Sequence, residues 1–527
     1  MTTIGAMPTV DTEVTGGIAG ADLVYLALTR TPDRVAFVDG GRQYTYREMA
    51  KLTFAMARAL AKRGLGPGNA VSLLSPNRSE IFAVQSAAQL LGCRYTPLHP
   101  LLSAADQSFI LQDAEIDLLV FDPMHTERAG EIVAMSGCAD AVSMGPSDRP
   151  DVFALADDES GTPFWPEHPE TLISSLSYTG GTTGKPKGVV ISHRVRVMNV
   201  MMTLSDWQLP QQMRTLLATP LSHSAGTMVL PTLLRGGTVH LLERFEPGAV
   251  LQAIERERIT CMLGVPTAIY SLLDHPDLDR TDLSSLETFI YGSSPASPTR
   301  LAEAVERIGP VMMQLYGQTE APNTVTVLRK EDHDPARPEL LASCGQPMVG
   351  CRVQLQDEDG NEVPVGENGE ICVRGRIVMD GYWKRPEETA QALRGGWLHT
   401  GDVARRDEDG YLYIVDRLKE VIISGGFNVY PREVEDVLGS HPAVAAAAVI
   451  GVPDERWGEA VKACVVLRPC ASVEPTVLQE LVRSQKGPIQ APKSIDFLDE
   501  MPQTPVGKPD KTALKKAYWS GEGRGVH

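Results

Sequence analysis

No stretch of this 527-residue chain stays apolar long enough to cross a bilayer. The longest run, residues 443–452, falls far short of the ~20 residues a spanning helix needs and reads as a buried strand. The opening MTTIGAMPTVDTEVTGG lacks both the basic cluster and the apolar centre of a secretory signal, so residues 1–20 are expected to form a flexible tail. Positive charge is also scarce. Lys and Arg number 49 against 67 Asp and Glu, for a formal net charge of −18, which excludes the broad basic footprint that nucleic acid requires. A small anion is still admissible, because a few local cations and backbone N–H groups can hold one. The cysteines at 93, 138, 261, 344, 351, 372, 464 and 470 form no CxxC pair. Neither zinc nor a disulfide framework is therefore expected, and the chain reads as cytoplasmic with reduced thiols.

What is present points to an enzyme-sized α/β protein. The length exceeds what one core ordinarily serves. Residues 44–65 carry apolar side chains at helical spacing, residues 70–77 (AVSLLSPN) read as a short strand with a turn, and residues 79–100 repeat helix and strand. That alternation predicts βαβ units and a largely parallel sheet. A second set starts near Leu172 and runs through TLLATPLSH, ITCMLGVPT and LETFIYGSS. Between about Leu341 and Ile414 short strands alternate with Gly and acidic turns, predicting a small antiparallel barrel or sheet. The last hundred residues read as a separate α+β unit, with helices over 431–444 and 475–485 and strands over 444–452 and 459–469. The polar DRLKE at 416–420 is the junction. The expected division is a large N-terminal domain over 21–416 and a small mobile C-terminal domain over 417–527.

Four strings carry chemistry. In SYTGGTTGKPKGVVISH (177–193) small hydroxyl residues and glycines precede two lysines and a strand. Glycines let the backbone approach phosphate, hydroxyls donate to its oxygens and lysines neutralise its charge. This is not the nucleoside-triphosphatase P-loop, since only three residues separate Gly180 from Gly184 and Pro186 follows Lys185. In QLYGQTEAP (314–322) an aromatic ring, a hydroxyl and a carboxylate suit a purine, a phosphate and Mg2+. In the string from Gly396 to Glu435, Asp402 could accept from two vicinal ribose hydroxyls. In PQTPVGKPDKTALKK, Lys508 follows a turn and a glycine, while Lys511, Lys515 and Lys516 read as solvated charges.

Together these strings resemble the acyl-adenylate-forming superfamily of acyl-CoA synthetases, luciferases and peptide-synthetase adenylation domains, most closely a bacterial fatty-acid–CoA ligase. The resemblance runs from about Tyr44 to Lys516. It implies that Thr179, Gly181, Thr182, Thr183 and Lys187 hold the β- and γ-phosphates of ATP, and that Tyr316, Thr319 and Glu320 serve adenine, phosphate and Mg2+. The turn YGSSPAS, with Ser294, is similar to the family's adenine-binding turn. Asp402 and Arg417 take the ribose, Lys419 the hinge, and Ser424, Gly425 and Gly426 the CoA tunnel. Lys508 becomes the catalytic lysine of adenylation, beside Thr183, Glu320 and His223. The implied chemistry forms an acyl-AMP with loss of pyrophosphate, swings the C-terminal domain, and transfers the acyl group to CoA. His223, Ser224, Gly226 and Tyr291 are expected to line the acyl pocket. The small run 224–226 favours a medium- or long-chain fatty acid. An aryl-CoA ligase for benzoate- or cinnamate-like acids and an acyl-AMP ligase serving a carrier protein stay open, as do peripheral membrane contact and a homodimer.

Overall fold

Thr45 opens the first long helix, Tyr46–Lys62. Its hydroxyl accepts from Glu48 N at 3.2 Å while Glu48 Oε2 accepts from Thr45 N at 2.8 Å, a reciprocal cap for two orphan donors. Met49, Thr53, Phe54, Ala57 and Leu60 follow at helical spacing and are buried, so one stripe faces the core. Tyr46 Oη donates to the carbonyl of Gly237 at 2.6 Å and fixes the helix against a segment 191 residues further on. The computed structural model describes residues 17–138, 140–179, 186–294, 296–417, 420–424, 427–454, 457–503 and 509–519.

Two large mixed sheets form the N-terminal part. One has the strand order Gly381–Tyr382, Lys187–Ser192, Ile173–Thr179, Arg94–Pro97, Ala70–Leu74, Leu118–Phe121, Asp140–Ser143. The other runs Gln346–Pro347, Ala321–Leu328, Met312–Gln318, Thr288–Tyr291, Cys261–Gly264, Arg214–Leu217, Thr238–Leu241, Val35–Asp39, Arg42–Thr45. The mixed α/β class is the one the sequence predicts, with its two βαβ-type halves. The halves are not sequence-contiguous, however. Val35–Asp39 pairs in parallel with Thr238–Leu241, and Gly381–Tyr382 returns to pair with Lys187–Ser192. Hydrophobic period cannot reveal such exchanges, because it reports which face a strand buries and not which neighbour it pairs with.

The segment with Gly and acidic turns is a four-stranded antiparallel sheet, Cys351–Gln356, Asn368–Gly375, Leu398–Arg406, Leu412–Arg417. Beyond it, Ile422–Ser424, Phe427–Val429, Val444–Asp454, Gly458–Leu467 and Ser494–Leu498 form a further sheet. The helix expected over 431–444 stops at Gly439, and the alanine-rich stretch after it is strand. Antiparallel pairing with Gly458–Leu467 along the length of the strand, with Ala448, Val449 and Ile450 buried in a row, outweighs alanine's helical preference there. Among the described residues no helix is long and apolar enough to cross a membrane.

Candidate active site

The strands Ile173–Thr179 and Lys187–Ser192 form a hairpin in which Thr179 pairs with Lys187. The two expected phosphate residues therefore stand at the mouth of the same connection. Gly181, Thr182 and Thr183, within that connection, lie outside the described residues. Gly188 is tightly packed, since a Cβ there would sit 3.1 Å from the Tyr178 ring and 3.3 Å from Trp383 Cβ.

A second hairpin, Met312–Gln318 with Ala321–Leu328, pairs Gln318 with Ala321 and leaves Thr319 and Glu320 at its tip. A Cβ on Gly317 would meet Asn323 N at 2.6 Å, so only glycine lets the strands close this tightly. Met379 N donates to the Glu320 carbonyl at 2.8 Å, and Tyr382 Oη donates to Glu320 Oε1, also at 2.8 Å. The Lys187 ammonium lies 5.3 Å from the Tyr382 ring centroid and is ion-paired with Glu388. Glu320 and Lys187, 133 residues apart in sequence, thus meet around one tyrosine. Thr319, beside Glu320, is half-buried.

Tyr316 belongs to the same strand as Glu320's hairpin, and its hydroxyl donates to Asp402 Oδ2 at 2.7 Å. Burial, then the Asp402 carboxylate, push the Tyr316 phenol well above its ordinary range, so it stays a donor. Only 9% of Tyr316 is exposed. In this conformation it acts through Asp402 rather than offering an open face to a purine. Arg417 stands opposite Asp402 in the antiparallel ladder. The turn with Ser294 lies against the same strand: Ile290 and Tyr291 pair with Met313 and Gln314, and a Cβ on Gly292 would come within 2.5 Å of the Leu315 carbonyl.

A cluster absent from the sequence reading sets Asp402 in place. Glu370 Oε1 accepts from Gly401 N at 2.8 Å, and its Oε2 accepts from His399 Nδ1 at 2.7 Å and Arg394 Nη2 at 3.0 Å. Glu370, Cys372 and His399 offer ligand atoms within 4.8 Å of one another, but burial pushes the Cys372 thiol up to about 12, and Glu370 is already committed to three donors. These bonds orient the turn ahead of Asp402. The only sequence signal was an acid in a strand, and spacing does not say what lies across a ladder.

On the acyl side, His223 opens the short 3-10 turn Ser224–Met228. A Cβ on Gly226 would fall 2.1 Å from the Leu221 carbonyl, so no side chain fits there. The His223 ring packs edge-on to His99 with centroids 4.6 Å apart, and Ser222 Oγ lies 3.0 Å from its Nδ1. By accessible surface His223 is exposed, yet protein atoms crowd it from most sides, as for a group lining a cleft. The crowding governs its charge: burial first and His99 second depress its pKa to about 4. His99 is lowered by burial as well. Tyr291 does not line this surface. It is fully buried, with its hydroxyl donating to Gln314 at 3.1 Å and lying 2.8 Å from His333 Nε2.

In the C-terminal part Ser424 is buried at the end of its strand, while Lys419, Gly425, Gly426 and Lys508 lie outside the described residues. Lys511 is not the solvated charge expected. Its ammonium lies 3.0 Å from Glu420 and 2.8 Å from Glu435. Burial opposes its charge, but the carboxylates of Glu435, Glu420 and Asp416 overcome it and raise its pKa.

The arrangement fits a nucleotide with its cation. Close-packed glycines at 188, 292 and 317 would be filled by any Cβ, and one carboxylate and one ammonium converge beside them. The comparisons agree. Residues 25–383 match the AMP-binding enzyme family and residues 433–508 the AMP-binding enzyme C-terminal domain. The chain is 44% identical to the medium/long-chain-fatty-acid–CoA ligase FadD8 of Mycobacterium tuberculosis, over 95% of this chain and 90% of that one. It is 39% identical to a feruloyl-CoA synthase from an Amycolatopsis species, over 93% and 96%. The structure of the amide bond synthetase McbA from Marinactinospora thermotolerans superposes with a TM-score of 0.88 at 39% identity, covering 94% of this chain and 99% of that one.

Proposed function

The chain belongs to the AMP-binding enzyme family, an AMP-forming acid–thiol ligase using ATP, Mg2+ and CoA, and from that premise we propose that its acid is a medium- or long-chain fatty acid. The observation that carries this is the 44% identity, along nearly the whole chain, to a ligase of that substrate class. The local chemistry supports it. His223 and His99 are held neutral, and Leu221, Ala225 and Met228 around them are buried and apolar. A second carboxylate on the substrate would meet these neutral rings and apolar side chains, whereas an uncharged tail meets no penalty.

In this reading the acid's carboxylate attacks the α-phosphate and pyrophosphate leaves. Thr179, Gly181, Thr182, Thr183 and Lys187 hold the phosphates, Ser294 borders the adenine, and Asp402, held by the Tyr316 hydroxyl, takes the ribose with Arg417. Lys508 places its ammonium where charge develops on the phosphorus oxygens. Glu320 would hold Mg2+, which when bound would supply charge neutralisation on the pyrophosphate. The unit over 417–527 then turns about Lys419, bringing Ser424, Gly425 and Gly426 to the pantetheine path. The CoA thiolate attacks the mixed anhydride and AMP departs. The eight cysteines are all free thiols, which supports a reducing, cytoplasmic setting.

An aryl acid is the second reading, favoured by the similarity to a feruloyl-CoA synthase. Following pyrophosphate, AMP and thioester over a panel from acetate through octanoate and palmitate to benzoate, cinnamate and ferulate separates the two. Turnover highest on octanoate or palmitate is expected. Turnover confined to the aryl acids overturns the fatty-acid assignment, and adenylate without thioester points to a carrier protein or an amine as acceptor.

A further inference from the structure

Three side chains from three separate elements converge beside the two hairpins: Tyr382 on the edge strand Gly381–Tyr382, Glu388 on the short helix Pro386–Ala392, and Lys187. The first two belong to none of the strings in which the nucleotide residues were found. Their placement is nevertheless fixed from several directions. Tyr382 is held to the hairpin by pairing with Val189. Its N–H donates to Thr389 Oγ1 at 2.9 Å, and Thr389 Oγ1 in turn donates to the Arg385 carbonyl at 2.7 Å. A Cβ on Gly381 would come 2.7 Å from Thr389 Cγ2, so helix and strand are in contact at their closest packing. The helix that carries Glu388 and the ring of Tyr382 therefore form one rigid wall.

From this wall the Tyr382 hydroxyl fixes one oxygen of Glu320, at 2.8 Å. Among the described residues no donor reaches the other oxygen, Oε2. A carboxylate with one oxygen tied to a neutral donor and the other open is set to bind a cation at a fixed orientation. Glu388 does the opposite on Lys187. Its Oε2 makes an ion pair with the ammonium but has no hydrogen-bond partner among the described residues. The Lys187 and Glu388 side chains are 31% and 38% exposed, although Oε2 itself is covered, and Glu388 Oε1 also lies 3.9 Å from Arg385 Nε; a pair partly open to solvent is displaceable. A triphosphate, carrying several charges and bound in addition by the glycine-rich connection, wins that competition.

We propose that Tyr382 is a positioning residue of the Mg·ATP site, orienting Glu320 toward the cation, and that Glu388 is an internal stand-in for phosphate that keeps Lys187 in place until the nucleotide displaces it. The proposal rests on the assignment of Glu320 and Lys187 to the nucleotide, and it is independent of which acid is activated. Tyr382→Phe keeps the ring beside Lys187 and removes only the hydroxyl. Glu388→Gln keeps the shape and removes only the charge.

The test is calorimetric titration of the full-length protein with ATP and no acid, once with Mg2+ and once with EDTA. With Mg2+, Tyr382→Phe is expected to weaken ATP about tenfold, as loss of a hydrogen bond to a charged group does, and to raise the Mg2+ concentration needed for half-saturation. With EDTA it should match the wild type, which a merely structural defect would not do. Glu388→Gln is expected to tighten ATP about threefold under both conditions. Equal weakening of Tyr382→Phe with and without Mg2+, or binding within twofold of wild type in both, overturns the role of Tyr382. Weaker binding by Glu388→Gln makes Glu388 a ligand and overturns the stand-in. A wild-type protein that fails to bind Mg·ATP at all sinks the nucleotide assignment itself, a result distinct from either.

Discussion

His193 ends the first of the four strings, but what it does depends on a residue 173 positions away. Its Nδ1 accepts from Gly20 N at 3.0 Å, so the proton of the neutral ring sits on Nε2, which has no partner among the described residues. Protonating Nδ1 would set a donor against a donor, inside the core, at the first residue of the helix His193–Asp206 where the dipole already repels a cation. Burial first, then Arg196 and His168, depress its pKa to about 3. The unfolded ring titrates near 6.5, so between those values the unfolded chain holds a proton that the folded chain refuses. Stability from this group is complete above about pH 6.5 and falls as pH drops toward 3, at up to ~1.4 kcal/mol per pH unit. Urea unfolding between pH 7 and pH 5 should show the summed slope of this and the other depressed histidines, among them His223, His240 and His333, and His193→Gln should lower it by nearly one proton. An unchanged slope would place the acid sensitivity elsewhere. The same limit applies across the site. Tyr316, Glu320 and Asp402 were legible as residue types in a spacing, whereas Tyr382, Glu370 and His99 act across sheets and left no local signal. Tyr291 was misread as pocket lining because a strand-end tyrosine looks the same whether its ring faces a cavity or the core.

Turn chemistry was more legible than pairing at the level of elements. The Gly and acidic turns expected between Leu341 and Ile414 are there, and upstream the hairpin Met312–Leu328 closes at Gly317 with no room for a Cβ. The blocking atoms are backbone, Asn323 N at 2.6 Å and the Ala321 carbonyl at 2.8 Å, so nothing can rotate aside. Gly130 gives the contrast. It lies inside the helix Thr126–Ser136 with nothing within 4 Å of where its Cβ would stand. Gly130→Ala should stabilise the protein by about 0.5–1 kcal/mol through helix propensity. Gly317→Ala should destabilise it by about 2 kcal/mol or more and lower acid-dependent pyrophosphate release at least tenfold, because the shift is delivered straight to Glu320. Thermal unfolding and initial rates of both variants decide it. A silent Gly317→Ala would mean that the hairpin tip is looser than its packing indicates.

Among the described residues the apolar clusters from Ile422 onward are separate from those before it. The clusters built on Ile422, Val434, Val449 and Val465, and on Ala448, Ile450, Cys464 and Leu514, draw on no residue before Ile422. Not foreseeable was how the C-terminal part is tied together at its start. Lys511 at the head of the helix Lys511–Trp519 reaches Glu420, the last residue of the junction, and Glu435 on the helix Pro431–Gly439. A basic tail of three lysines gives no hint which one is enclosed, since that depends on carboxylates 76 and 91 residues upstream. Lys511 is only 18% exposed in its side chain and Glu435 likewise. Replacing it by Met removes the ammonium that both partly buried carboxylates share, a change that costs about 2–4 kcal/mol. Because the cores are separate, that loss should fall on one part alone. Hydrogen exchange in Lys511→Met should accelerate through Val444–Asp454 and Gly458–Leu467 and stay at wild-type rates in Ala70–Leu74 and Leu118–Phe121, while Lys511→Arg should restore protection. Acceleration spread equally over both parts would show that they unfold as one cooperative body, leaving no mechanical basis for a C-terminal unit that turns on its own between the two half-reactions.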